Sequence, residues 1–508
     1  MEDLNSTDKE NRLRYAVCFF LYAFSATAYS VLDAETDLWG HIQFGREIWE
    51  KGFIPSFDSY SYTVNGFPWI NHEWLTEVFF YLIYKQFDST GLLIFKLALG
   101  FYITWLLSSF YFSKEKNLFI YVLFFTLLTA VLTIRFTTRP QIFSLLFSTI
   151  LIVSIYKYFD GNKRWLKVFP IIFAFWTNLH GGVLAGLGVL GCVVFIESVR
   201  SIFQNRSLDV TLLLIFVISL CALFVNPYGY KLPLFFLETI SKSREISEWK
   251  SINLFDTTFL HFKIIAFLAM LSIFSRREKK IWEIAIVGGA IFFAFRHVRH
   301  IAIASIVSAP FILFNLSEIC RRLKFFQIAE KFLEKRAIST ISVIIAIAFL
   351  QGSLVLQKYW NAKFRITVNP LVFPVYTAEF MAINKIDGNL LTPFDWGEFF
   401  IWKRPQSKVS IDGRFWTVYP NKIFIHFLVF EEGMTGWENV LSIYPRTDLI
   451  ISSRKNKKLR QIKGWVLIFK GLIADIYIRK TDPPSPLLRK HLNNKLLIPK
   501  EAPSLFFP

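Results

Sequence analysis

The sequence predicts a polytopic α-helical membrane protein with about eleven spanning helices and a C-terminal α/β domain outside the bilayer. Three observations predict it. Of 508 residues, 54% are hydrophobic and 57 are Phe, more apolar than a soluble domain requires. Apolar stretches near the ~20 residues that cross a bilayer recur through the first two thirds of the chain. Lys and Arg gather in alternate connections between those stretches, which is the positive-inside pattern.

The first helix is expected over 15–32, long enough to be retained rather than cleaved as a signal peptide. A polar stretch follows over 33–90, then helices over 91–112, 118–134, 141–158, 166–180, 182–199, 208–225, 259–275, 281–295, 300–318 and 337–357. The basic connections are Lys114 and Lys116, then Lys157 to Lys167, Arg200 and Arg206, Arg276 to Lys280, and Arg321 to Arg336. Placing these and the N-terminus in the cytoplasm puts the other connections outside. Those are 33–90, the turns at Arg135–Pro140, His180–Gly182 and Arg296–His300, the segment 226–258, and the tail from 358.

The apolar run Trp74–Phe87 would reverse this register if it spanned. Its ~14 residues are too few, so it is expected to lie on the outer surface as an amphipathic helix. The transmembrane domain is thus 1–357, with 33–90 as its first outer loop, and the soluble outer domain is 358–508. In the tail, short apolar runs at Val409–Ile411, Leu449–Ile451 and Trp465–Phe469 read as strands. Asp387-Gly388 and Asp412-Gly413 read as turns between them. From about Thr481 the prolines suggest a loose arm.

The net charge of +19 would suit nucleic acid, but the cations sit between apolar segments rather than on one soluble face. Membrane lipids, not nucleic acid, are the expected surroundings. Cys18, Cys192, Cys221 and Cys320 show neither metal-site nor redox spacing.

Polar chemistry concentrates in the outer segments. Asp33, Glu35 and Asp37 stand at alternate positions ahead of His41, and can supply a general base or bind a divalent cation such as Mg or Mn. Asp58 follows a turn, and His72-Glu73 lies between two tryptophans, where it can hold a metal or orient a substrate. Arg135 and Arg139 in one turn, and Arg296, His297 and Arg299 in another, place cations on the face where they are least expected. Arginine forks onto phosphate, so these are candidate phosphate ligands, with headgroup contact as the plain alternative. His180, before Gly181-Gly182, is a further candidate. Ionisable residues are scarce in the helix centres, unlike an ion-coupled transporter.

The run Asp37-x-Trp39-x-His41, Gly45, Gly52-x-x-Pro55, Asp58-x-x-Ser61-x-Thr63, Gly66-x-x-Trp69-x-x-His72-Glu73-Trp74-Leu75 resembles bacterial membrane proteins of the GT-C glycosyltransferase superfamily. Arg139-Pro140-Gln141, Asn178-x-His180-Gly181-Gly182, Asn226-Pro227-x-Gly229, Asp395-Trp396-Gly397 and Ile411-Asp412-Gly413-Arg414 are similar too. The resemblance implies an enzyme of the cytoplasmic membrane that takes a sugar from a polyprenyl-phosphate or polyprenyl-diphosphate donor and works on the outer face. An acid of the first outer loop, here at Asp37, would act as base or metal ligand, and the tail would help bind the acceptor. The chain departs from the group pattern in Glu35-Thr36 ahead of Asp37 and in a single tryptophan before His41, so Asp33, Glu35 and Asp37 all stay candidates. The competing readings are a transporter or flippase of lipid-linked glycans, and a non-catalytic scaffold. The sugar and the acceptor are not readable from the sequence.

Overall fold

The structure is a computed structural model describing residues 2–115, 117–134, 136–241, 247–324, 326–328, 337–499 and 503–508. Lys116 and Arg135 lie outside the described residues. The chain divides into two compact units: one is 1–31 with 94–363, the other 32–93 with 364–508. The contacts thus group 32–93 with the tail, where sequence alone drew one boundary at 357.

The first unit is helical, because its segments are continuously apolar and a helix satisfies every backbone group within the segment. Its most enclosed element is Ile301–Arg322, which carries Ala302, Ala304, Ser305, Ser308 and Ala309 among its buried residues. Small side chains let neighbouring helices approach closely, and Leu118–Thr133, Gln141–Phe159, Leu260–Ser272 and Ile281–Arg296 all pack against it. Ser305 Oγ is satisfied within the helix, donating to the Ile301 carbonyl at 2.8 Å. Glu2–Tyr29 packs on Ala337–Asn361.

Among the described residues, five helices are long and apolar enough to cross a membrane: Trp74–Phe112, Gln141–Phe159, Val183–Phe203, Val298–Arg322 and Ser339–Asn361. Leu118–Thr133, Phe169–Leu179, Val210–Phe224 and Leu260–Ser272 are apolar but shorter. The expected helix over 166–180 illustrates the difference. It divides into Arg164–Lys167 and Phe169–Leu179, with Pro170 in the first turn of the second piece. Eleven residues at the helical rise reach about 16 Å, roughly half of a hydrocarbon core.

Trp74–Phe112 is broken at Asp88, where φ is 56° and ψ is −163°. The break falls between the expected surface helix over 74–87 and the expected span over 91–112, so the two are separate helical pieces.

The second unit holds a five-stranded mixed sheet: β1 (Asn389–Leu391), β2 (Lys408–Val409), β3 (Leu449–Ser452), β4 (Trp465–Lys470) and β5 (Asp475–Arg479), in the order β2-β1-β3-β5-β4. β1 runs parallel to β2 and β3, while β5 is antiparallel to β3 and β4. β3 is buried on both faces, as its unbroken apolar run requires. The first-loop segment around Ser61 continues the sheet beyond β2: Tyr62 N donates to the Val409 carbonyl at 3.1 Å, and Val409 N to the Tyr60 carbonyl at 3.0 Å.

The chain does turn at Gly413, beside Asp412, which is fully buried in an ion pair. One expectation about the tail is corrected: the end of the chain is not a loose arm. Phe507 N donates to the Ile366 carbonyl at 2.8 Å, and the buried Phe507 ring lies 4.5 Å from that of Trp39. An aromatic side chain of that size holds a terminus through the apolar area it hides.

Candidate active site

The second unit draws two distant stretches of sequence onto one small pocket. Thr36, Asp37, Phe394, Asp395, Glu398 and Gly413 line it. Asp37 opens the Leu38–Lys51 helix, yet its side chain makes no capping bond there; it accepts from the Thr36 hydroxyl at 3.1 Å. The positive end of the helix dipole favours a negative charge at that position. The other two candidate acids of the run do not line the pocket. Asp33 Oδ1 accepts from Thr367 Oγ1 at 2.7 Å, in a bridge that ties the start of the loop to the tail, and Glu35 is half-buried elsewhere. Of the three, Asp37 is the acid that lines the pocket.

Opposite Asp37 stands a carboxyl that the sequence reading passed over. Glu398 begins the Gly397–Lys403 helix and is 5% exposed, and its Oε2 is buried without a hydrogen-bond partner. Two glycines make room for it. A Cβ on Gly40 would stand 2.3 Å from Glu398 Oε2, and one on Gly413 would stand 2.6 Å from Glu398 Oε1 and 3.1 Å from Asp37 Oδ1. The two carboxyls therefore converge over the Gly413 backbone, where only hydrogen is tolerated. Burial, and then the charges of Asp37, Asp412 and Glu77, push the Glu398 carboxyl well above the usual carboxylate range, against the opposing pull of Arg414.

Beneath the pocket lies a buried ion pair. Arg414 donates through Nη2 to Asp58 Oδ1 at 2.6 Å and to Asp412 Oδ2 at 2.7 Å. Its guanidinium carbon lies 5.3, 4.9 and 4.8 Å from the ring centres of Phe44, Tyr60 and Trp69. The remaining Asp58 contacts are Ser61 N, Ser61 Oγ and Tyr60 N, and Tyr419 O–H donates to Asp412 at 2.6 Å. Asp58, a candidate substrate ligand by sequence, is fully enclosed and engaged, so it acts as an internal strut.

His41 is also buried. Its Nδ1 lies 3.5 Å from Glu77 Oε1, and Asn71 Nδ2 donates to the other oxygen of Glu77. Burial alone would lower the His41 pKa, but the Glu77 hydrogen bond and the charges of Glu73, Glu77 and Asp37 outweigh it and raise the value. His72 Nε2 sits 3.6 Å from Glu73 Oε1, with its ring 6.0 Å from Trp416. Among the described residues no group of three or more His, Cys, Asp or Glu side chains comes together as a metal-holding set, so Asp37, His72 and Glu73 form no such set.

The remaining candidates belong to the helical unit. Arg139 pairs with Glu248 at 3.3 Å, His297 Nδ1 is 2.9 Å from the Trp249 carbonyl, and Arg299 lies 4.7 Å over the Trp249 ring. Two turns far apart in sequence thus meet at the Ser247–Trp249 segment, while Arg296 is exposed. His180 Nδ1 is engaged by Ser144 Oγ at 2.7 Å and by the Gly182 amide at 3.0 Å, which fixes its ring against the following helix.

Glu398 escaped the sequence reading because it opens the apolar run Phe399 to Trp402, where an acid resembles an ordinary first-turn residue. Its signal was the glycine before it, in Trp396-Gly397-Glu398. No known family model matches the chain, and no curated protein matches it either.

Proposed function

We propose that the chain is an integral-membrane glycosyltransferase that moves a sugar from a polyprenyl-phosphate donor to an acceptor on the extracytoplasmic face. The observation that carries this reading is the Asp37 carboxylate at a small pocket, facing a second, buried carboxyl from the tail. Paired carboxyls in unlike environments are a common solution for acid–base work on sugars.

In this reading the acceptor oxygen attacks the anomeric carbon of the donor while Asp37 takes the acceptor's proton. The bond from that carbon to the phosphate oxygen breaks, and its electrons stay on the polyprenyl phosphate. Proton removal by a placed base is worth roughly 10²–10⁴ in rate. Arg139, Arg296 and Arg299, all in the helical unit, are the proposed ligands for a phosphate group. Support for that role is the meeting of Arg139, His297 and Arg299 at Glu248-Trp249. With no three-ligand set among the described residues, no step is assigned to Mg or Mn.

The topology of the proposal is about eleven crossings, some short or tilted, in the cytoplasmic membrane, with the N-terminus in the cytoplasm and the tail outside. A flippase of lipid-linked glycans would use the same arginines, but has no need of the Asp37–Glu398 pair. The test supplies purified protein in lipid nanodiscs with radiolabelled polyprenyl-phosphate sugars and a cell extract as acceptor. Label passing from lipid to acceptor supports the transferase. Movement of labelled lipid between the leaflets of proteoliposomes, with no label passing to acceptor, sinks it in favour of the flippase.

A further inference from the structure

Three helices of the first unit meet at the His180 ring. Trp176, on Phe169–Leu179, donates through Nε1 to Ser144 Oγ at 2.7 Å. Ser144, near the start of Gln141–Phe159, lies 2.7 Å from His180 Nδ1. The Gly182 amide, where Val183–Phe203 begins, donates to the same Nδ1 at 3.0 Å. We propose that Ser144 and Trp176 are positioning residues that keep the His180 ring proton on Nε2, so that His180 serves as a hydrogen-bond donor to the phosphate of the lipid-linked sugar. The choice of phosphate rests on the transferase reading; the place of the proton does not.

That place follows from which groups can only give. A backbone amide N–H donates and cannot accept, so Nδ1 must offer its lone pair to Gly182. An imidazole that accepts at one nitrogen carries its proton on the other. Ser144 reinforces the choice. Its oxygen accepts from Trp176 Nε1, an indole that only donates, and this turns the hydroxyl hydrogen toward Nδ1.

Packing makes the arrangement rigid. Trp176 is fully buried and Ser144 is 1% exposed, so neither can exchange its partner for water. Two glycines one turn apart clear the space. A Cβ on Gly182 would stand 2.3 Å from Ser144 Oγ and 2.8 Å from His180 Nδ1, and one on Gly186 would stand 2.5 Å from the Trp176 ring. A larger residue at either position would push the chain of contacts apart. A histidine that only filled space would not need a fixed tautomer.

Chemistry selects the ligand. With Nδ1 engaged, His180 acts through its Nε2–H, which donates and does not take a proton. A preorganised N–H stabilises an oxygen that gains charge, as the departing phosphate does. Arg139, a proposed phosphate ligand, stands just ahead of the helix that carries Ser144.

The test uses full-length protein in nanodiscs with nitrogen-15-labelled histidine, read by long-range proton–nitrogen correlation NMR at neutral pH. The His180 signals are identified by their loss in His180→Gln. Wild type is expected to carry the proton on Nε2. A proton on Nδ1, on both nitrogens, or shared evenly between them would overturn the proposal. Ser144→Ala and Trp176→Phe should each shift the tautomer ratio about two- to tenfold toward Nδ1–H, as loss of one hydrogen bond implies. Trp176→Phe keeps an aromatic ring in place, and wild-type ratios in both variants would remove Ser144 and Trp176 from the role. Farnesyl phosphate is then added, with farnesol as the control. The Nε2 signal should move with the phosphate and not with the alcohol. Movement with neither, or equally with both, would overturn the phosphate assignment, while label transfer would still judge the transferase reading separately. Movement with farnesyl phosphate alone, in a protein that transfers no sugar, would keep this site and sink that reading.

Discussion

The Arg414 guanidinium donates to Asp58 at 2.6 Å although 356 residues separate the two in sequence. This contact joins the segment 33–90 to the tail, and both side chains are closed to solvent. It explains why the motif around Asp58 and the motif around Arg414 occur in one chain: each supplies half of a buried pair on which the pocket floor rests.

Removing one member of such a pair leaves the other charged and enclosed. Asp58→Ala is expected to destabilise the protein by about 3–5 kcal/mol, seen as a lower Tm and faster proteolysis of the tail. Arg414→Lys alone should destabilise too, because an ammonium cannot fork onto Asp58 and Asp412 while lying flat among three rings. A Tm within 1–2 °C of wild type for Asp58→Ala, roughly the scatter of a neutral substitution, would contradict the assigned strut role.

Gly40 is occupied in space by Glu398, so the two positions should be coupled. Gly40→Ala is expected to lower the Tm, and adding Glu398→Ala should recover most of the loss. A double-mutant cycle should read a coupling of about 0.5–3 kcal/mol. Additive effects would mean that the Glu398 side chain does not rest over Gly40.

The Glu398 carboxyl lies above its ordinary range in the folded protein, which sets the sign of a pH effect. Near pH 4 both folded and unfolded chains hold the proton, so Glu398→Gln and wild type should melt alike. As pH rises past the ordinary carboxylate value near 4.5, only the unfolded chain releases its proton. Wild type therefore loses stability relative to Glu398→Gln until the folded pKa is passed, and the gap then stays constant. Melting curves from pH 4 to 9 check this, and a gap that narrows with rising pH has the wrong sign.

Much of this was legible in the sequence. The polar break after Phe87 separated the surface helix from the span that follows, and Asp88 is where the helix breaks. Strands at Leu449–Ser452 and Trp465–Lys470 followed from short β-rich runs, but β1 at Asn389–Leu391 was too short to show a period. Asp37 and His41 were visible as an unusual polar cluster beside a membrane helix. Glu398 was not, because its importance comes from Gly40 and Gly413, which lie far away in sequence and reveal their purpose only when packed. Asp58 looked like a ligand for the same reason: its partner, Arg414, is a tertiary contact. Apolar length alone also joined 166–180 into one helix, which the structure divides, with Pro170 in the first turn of the second piece.

The proposed topology makes a separate prediction. In a background without the four native cysteines, Lys116→Cys should react with an impermeant maleimide only after the membrane is opened, whereas His297→Cys should react from outside. Labelling of both from outside would overturn the assignment of sides.

The most direct test of the central claim is the rate of sugar transfer by Asp37→Asn from a radiolabelled polyprenyl-phosphate sugar. This substitution keeps the size of the side chain and removes its basicity. The account predicts a fall of roughly 10²–10⁴-fold with an unchanged Tm. Transfer at the wild-type rate by Asp37→Asn would contradict it.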